Sequence, residues 1–96
     1  MIGTDARYPV RRIFCVGRNY AEHAKEMGSE IDRAAPFYFT KSAMHLAGQG
    51  LPVNFAPGTR DYHHEVELVV ALGQEAHNVP AGQSLQAVFG YAVGLD

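Results

Sequence analysis

The sequence predicts an α+β domain that is mostly β. Four runs rich in β-branched, aliphatic or aromatic residues have the length and composition of strands, and they lie at residues 12–16, 36–41, 66–72 and 88–95. One run of good helix formers, at residues 20–27, lies between the first two strands. Glycines and prolines occur mainly in the remaining connections, as is typical of turns and loops.

Composition and charge exclude several classes of protein. The chain is 47% hydrophobic and 19% charged, which is typical of a globular protein, and its net charge of −2 with no basic run argues against a nucleic-acid partner. No apolar run approaches the roughly 20 residues that cross a membrane, and the N-terminus lacks a signal-peptide pattern. The single cysteine, Cys15, excludes an internal disulfide framework. We therefore expect a cytoplasmic protein without a nucleic-acid or membrane partner.

The predicted helix carries a histidine and a glutamate that share a face. Asn19 suits the N-cap and Gly28 the residue after the C-terminus, so a helix of about two turns fits both signals. His23 and Glu26 are spaced i, i+3 on it. A carboxylate beside an imidazole raises its basicity and orients it, as in a general base. The same spacing is common on exposed helix surfaces, so spacing alone leaves both interpretations open.

The third strand carries two glutamates on one side. Because side chains alternate along a strand, Glu65 and Glu67 point the same way, about 7 Å apart. Their face continues into the apolar residues Val69 and Ala71, so we expect this strand to be buried on both faces. The other face, which we expect in the core, carries Val66, Leu68, Val70 and Leu72.

Two neighbouring carboxylates at the entrance to a buried strand repel each other unless a cation lies between them. A divalent ion such as Mg²⁺, Mn²⁺ or Ca²⁺ suits an all-carboxylate set better than zinc does. Glutamates at i, i+2 more often mark a solvated strand face, but the apolar continuation of this face and the flanking His63–His64 pair make the two interpretations equal. A histidine-rich cupin site fits less well, because His63 and His64 are adjacent and point to opposite faces.

The rest of the chain adds weaker signals. Lys41 ends the second strand, where it either faces a site or extends into solvent. Ser84 suits the cap of a short turn or helix, and Gly90 and Gly94 predict a bulge or bend in the last strand. The sequence stops at Asp96, directly after an apolar run. We expect residues 1–96 to be the N-terminal portion of a single catalytic domain, truncated after Asp96.

Several stretches, in the same order and with the same spacing, resemble the fumarylacetoacetate hydrolase family. They comprise residues 16–20, then His23 and Glu26, then residues 39–41, 59–68 and 90–96. The residues of these motifs are most similar to those of the small acylpyruvases, especially the bacterial fumarylpyruvate hydrolases. The resemblance implies a mixed β-roll with a short lid helix, and a homodimer.

The resemblance also implies a divalent-metal site, a water-activating dyad and substrate contacts. The metal ligands would be Glu65, Glu67 and Asp96. The dyad that activates water would be His23 and Glu26. Lys41 would act in catalysis near the substrate, and Arg18 and Asn19 would bind it. Two features depart from the family pattern. Ser42 replaces the proline that usually follows the lysine, and the segment that follows the aspartate in the family, with a second lysine, is missing here.

The implied activity is metal-dependent hydrolysis of a carbon–carbon bond in a 3-acylpyruvate such as fumarylpyruvate, giving pyruvate and a carboxylic acid in aromatic-compound catabolism. Mg²⁺ or Mn²⁺ is the expected cofactor, with Ca²⁺ as a further candidate. Two alternatives stay open. One is oxaloacetate decarboxylation or keto–enol isomerisation on the same fold, and the other is an inactive truncated fragment that only binds metal.

Overall fold

The computed structural model describes residues 1–17, 19 and 36–96, and it divides the chain into two compact units, Met1–Val53 and Asn54–Asp96. Each unit contains one antiparallel sheet of two strands. The mostly-β expectation is confirmed. The predicted lid helix at residues 20–27 lies outside the described residues. Within the described ranges, no helix is long and apolar enough to cross a membrane.

The first unit is built around the hairpin of β1 (Ile13–Gly17) and β2 (Phe37–Lys41). The β-branched and aromatic residues of both runs favour pleated surfaces, and both strands begin one residue later than predicted. The register places Ile13 opposite Lys41 and Gly17 opposite Phe37. Lys41 therefore shares a face with Phe39, and its Nζ lies 5.9 Å from the centroid of that ring, within the range of a cation–π contact.

A single 3₁₀ turn, Ala43–His45, follows β2 almost at once. The side chain of Ser42 caps it, because its Oγ accepts a hydrogen bond of 3.3 Å from the backbone N–H of Met44. A proline, which the family usually carries at this position, has no side-chain oxygen for this role. The departure at Ser42 therefore supplies a local cap.

The second unit is built around β3 (Val66–Leu72) and β4 (Val88–Leu95). Pairing runs without a shift from Val66 opposite Leu95 to Ala71 opposite Gly90. Leu72 then pairs with Val88, so Phe89 is an extra residue in β4 and forms a bulge. The expected bulge in the last strand therefore lies directly before Gly90.

The connection between β3 and β4 ends in a 3₁₀ helix, Ala81–Ala87. Ser84 lies inside this helix, where its Oγ donates to the carbonyl of Ala81 at 2.8 Å, and Pro80 occupies the cap. The expectation that Ser84 caps the element is therefore wrong. Ala87, at the end of this helix, is buried, with 5% of its surface exposed.

The expected burial of the third strand on both faces is wrong for this chain. Val66 and Leu68 are 65% and 63% exposed, whereas Glu67 and Ala71 on the other face are half-buried. The large side chains of β4 that share the apolar face, Tyr91, Val93 and Leu95, are also exposed. Alternation shows which residues share a face, but burial also requires a second layer. No described part of this unit covers the apolar face.

Candidate metal site

Glu65 and Asp96 form the last pair of the β3–β4 ladder. The N–H of Glu65 donates to the carbonyl of Asp96 at 2.8 Å, and the N–H of Asp96 donates to the carbonyl of Glu65 at 2.9 Å. Two residues that exchange both hydrogen bonds are directly opposite, with Cα atoms about 5.5 Å apart. Directly opposite side chains lie on the same face of a sheet. The backbone therefore places a carboxylate of each strand on one face.

Glu67 adds a third carboxylate to this face. It follows Glu65 by two residues in extended chain, so the prediction that the two glutamates point the same way agrees with the ladder. Its direct partner is Gly94, which adds no side chain. Glu65 and Glu67 are both half-buried, whereas Asp96 is exposed.

The chemistry of this set fits a divalent cation. Three neighbouring carboxylates repel one another, and oxygen donors are those that Mg²⁺, Mn²⁺ and Ca²⁺ prefer. Across the described parts of the chain, no three acidic, histidine or cysteine side chains already converge on one point. The three carboxylates would therefore have to turn towards one another by side-chain rotation.

Two other predicted site residues belong to the first unit, and the rest lie outside the described residues. Lys41 ends β2 in the first unit and is exposed, and Asn19 is also exposed. The structure thus groups the three predicted metal ligands within the second unit, whereas Lys41 and Asn19 belong to the first. The predicted residues that lie outside the described part of the chain are Arg18, His23 and Glu26.

The structure also shows a histidine–aspartate contact just before β3. His63 Nε2 lies 2.6 Å from Asp61 Oδ1, although the two side chains are 77% and 87% exposed, respectively. Thr59 holds the preceding turn, because its Oγ1 accepts from the N–H of Asp61 at 3.1 Å and donates to the carbonyl of Asp61 at 2.9 Å. The i, i+2 spacing of Asp61 and His63 is the only sequence signal that could have pointed to this contact, and we made no prediction from it.

The model of the family described as fumarylacetoacetate (FAA) hydrolase, C-terminal, matches residues 12–96. The chain belongs to the fumarylacetoacetate hydrolase family. The resemblance carried by the sequence motifs is therefore confirmed. Members of this family that resemble the chain include hydrolases and a decarboxylase, so the chain belongs to an enzyme family.

Two solved structures are similar to the chain throughout its length. One is the fumarylpyruvate hydrolase of Pseudomonas aeruginosa in complex with Mn²⁺ and pyruvate. It is 45% identical in sequence with a TM-score of 0.90, and the alignment covers 100% of this chain and 43% of the hydrolase chain. The other is a putative fumarylpyruvate hydrolase of Burkholderia cenocepacia, 45% identical with a TM-score of 0.82, covering 99% of this chain and 39% of its own. The Mn²⁺ in the first structure supports a divalent metal cofactor.

Two relatives similar to the chain are enzymes that act on oxaloacetate. A mitochondrial oxaloacetate decarboxylase of Dictyostelium discoideum is 42% identical over 90% of this chain and 39% of its own length. A mitochondrial oxaloacetate tautomerase of Rattus norvegicus is 44% identical over 90% of this chain and 38% of its own length. The chain thus spans about two fifths of the length of the relatives it matches.

Proposed function

We propose that this chain provides the metal-binding face of a divalent-metal-dependent enzyme that cleaves a carbon–carbon bond in a 3-acylpyruvate. One observation carries the proposal: the β3–β4 ladder places Glu65, Glu67 and Asp96 on one face. The likeness to a fumarylpyruvate hydrolase bound to Mn²⁺ and pyruvate supports both the ion and the class of product.

In this proposal Glu65, Glu67 and Asp96 hold the ion through carboxylate oxygens. Bound Mg²⁺ or Mn²⁺ supplies Lewis-acid polarisation of a keto oxygen. Three carboxylates and one divalent cation leave a net charge of about −1, and we propose that Lys41 offsets part of it near the substrate. Arg18 and Asn19 are the further substrate-binding residues of the proposal.

In this proposal His23 and Glu26, the dyad that activates water, carry out the proton transfer. His23, oriented by Glu26, takes a proton from water, and the hydroxide oxygen bonds to the distal carbonyl carbon. The carbon–carbon bond then breaks, with its electron pair going to the pyruvate fragment as an enolate. Protonation of that enolate at carbon gives pyruvate, and the acyl fragment leaves as a carboxylic acid.

A second candidate function is decarboxylation or tautomerisation of oxaloacetate. The Dictyostelium discoideum and Rattus norvegicus relatives support it about as strongly as the solved structures support hydrolysis. The same carboxylate face serves a keto acid in both cases. The difference lies in whether the chemistry uses an attacking water or handles only the substrate's own proton or carboxylate.

Assembly, location and pathway belong to the proposal as well. The family resemblance suggests a homodimer that acts in aromatic-compound catabolism. We propose a cytoplasmic location, which the single cysteine fits because the cytosol keeps thiols reduced. The family resemblance suggests a small keto acid as the partner, and the net charge of −2 argues against a nucleic acid.

A parallel assay on the purified protein tests the reaction. The protein is given fumarylpyruvate or oxaloacetate, each with Mn²⁺ and with a chelator, and ultraviolet absorbance, pyruvate and carbon dioxide are followed. We expect Mn²⁺-dependent formation of pyruvate and fumarate in equal amounts from fumarylpyruvate. Faster release of carbon dioxide from oxaloacetate, or its enol–keto conversion without carbon dioxide, would favour the second candidate. Failure to convert either substrate would contradict both.

A further inference from the structure

We infer that Gly94 is a positioning residue for the carboxylate face. The inference rests on the proposed function, because it concerns the room around Glu67 as a metal ligand. Gly94 is the direct cross-strand partner of Glu67, and both residues are half-buried. Since opposite residues share a face, a side chain at position 94 would lie on the same face as that of Glu67.

The space above Gly94 is taken by a neighbour on β3. A Cβ added at Gly94 would lie 2.8 Å from Cγ2 of Val69, which is closer than real Cβ contacts allow. Val69 follows Glu67 by two residues and shares its face. Its methyl group therefore leans diagonally across the ladder, over the glycine.

Replacement of this glycine would crowd Glu67 by either of two routes. The branched side chain of Val69 has few χ1 states, so a methyl group at position 94 would push it back over β3, towards Glu67 or Ala71. If Val69 kept its place, the two strands would have to separate beside Glu67. Both routes disturb a carboxylate that has to turn towards Glu65 and Asp96 to share an ion.

A second glycine on the same strand provides a matched comparison. Gly90 lies on the same face of β4, is equally half-buried, and has nothing within 4 Å of an added Cβ. Ala92, between the two glycines, already carries a methyl group on this face. The requirement for glycine therefore belongs to position 94 and does not apply to the whole strand.

Mn²⁺ titration of the 96-residue chain tests the inference, with thermal unfolding measured without metal. We expect Gly94→Ala to weaken Mn²⁺ binding about 10-fold, the lower end of the effect of residues that orient metal ligands. Gly90→Ala should bind Mn²⁺ within about twofold of wild type, since residues without contacts to the ligands add little. Val69→Ala, added to Gly94→Ala, should restore binding because it removes the colliding methyl group.

Four results would overturn the inference. If Gly94→Ala binds Mn²⁺ like wild type, position 94 does not position the ligands, although the proposed function stands. If it lowers only the unfolding temperature of the metal-free chain, its role is structural. If Val69→Ala does not restore binding, the contact with Val69 is not the cause. If wild type does not bind Mn²⁺, or binds it no better than Glu67→Gln, the proposed metal site fails together with this inference.

Discussion

The two hairpins share a pairing geometry but distribute their side chains differently. The β1–β2 hairpin has aromatic residues on both faces, with Phe39 on one and Phe14 on the other. The β3–β4 hairpin separates its residues, with carboxylates and mostly small residues on one face and large apolar residues on the other. The second arrangement therefore places charged groups beside small side chains.

A glycine near the end of a strand shows the difference most directly. A Cβ added at Gly17 would collide with Cδ1 of Phe37, its direct partner, so the aromatic ring fills the space. At Gly94 the neighbour that covers the glycine is the diagonal Val69, while the direct partner is Glu67. The same residue type thus serves packing in one hairpin and, in our proposal, room for a metal ligand in the other.

The largest expected effect separates the chemistry of the two units. His23→Ala, in the first unit, should lower turnover about 10²- to 10⁴-fold, because it removes the proposed general base. Mn²⁺ affinity should stay near that of wild type, since His23 is not one of the proposed ligands. Steady-state kinetics measure the turnover, and Mn²⁺ titration measures the metal affinity. Full activity in this variant would contradict the dyad.

The next effect tests the carboxylate face itself. Glu67→Gln should weaken Mn²⁺ binding on the order of 100-fold, because a neutral amide replaces a charged oxygen ligand. Glu75→Gln makes the same change in the exposed connection after β3 and serves as the control. Isothermal titration with Mn²⁺ measures both variants. Equal affinities would remove Glu67 from the ligand set.

The smallest effect concerns packing in the first hairpin. Gly17→Ala should destabilise the chain by about 1 kcal/mol, because the added methyl group displaces the ring of Phe37. Gly82→Ala, where an added Cβ meets nothing within 4 Å, is the control. Urea unfolding measures the difference, and Mn²⁺ affinity should be unchanged in both. A Gly17 variant as stable as the control would show that the ring moves aside without cost.

Strands and shared faces were predictable because they depend on local composition and on alternation. Residues 66–72 are β-branched or aliphatic apart from Glu67, and the strand found there has the predicted bounds. The alternation also predicts that Glu65 and Glu67 share a side. A strand's period of two residues suffices for these conclusions, whatever the strand packs against.

Burial and cross-strand pairing depend on distant parts of the chain and were not predictable in the same way. Leu68 looks like a core residue from its pattern, but its exposure is set by whether a second layer covers it. The pairing of Glu65 with Asp96 and the contact of Val69 with Gly94 require the register of β4. The family resemblance named Asp96 as a ligand, but the ladder places it opposite Glu65.

The bulge at Phe89 affects how β4 tolerates changes in its length. Because Phe89 is the extra residue of the bulge, deletion of one residue there would convert the bulge into regular pairing and leave the register of Gly90 to Asp96 intact. Deletion of one residue between Gly90 and Asp96 would instead move the aspartate to the opposite face from Glu65. Changes in length are therefore tolerated at one end of this strand and not at the other.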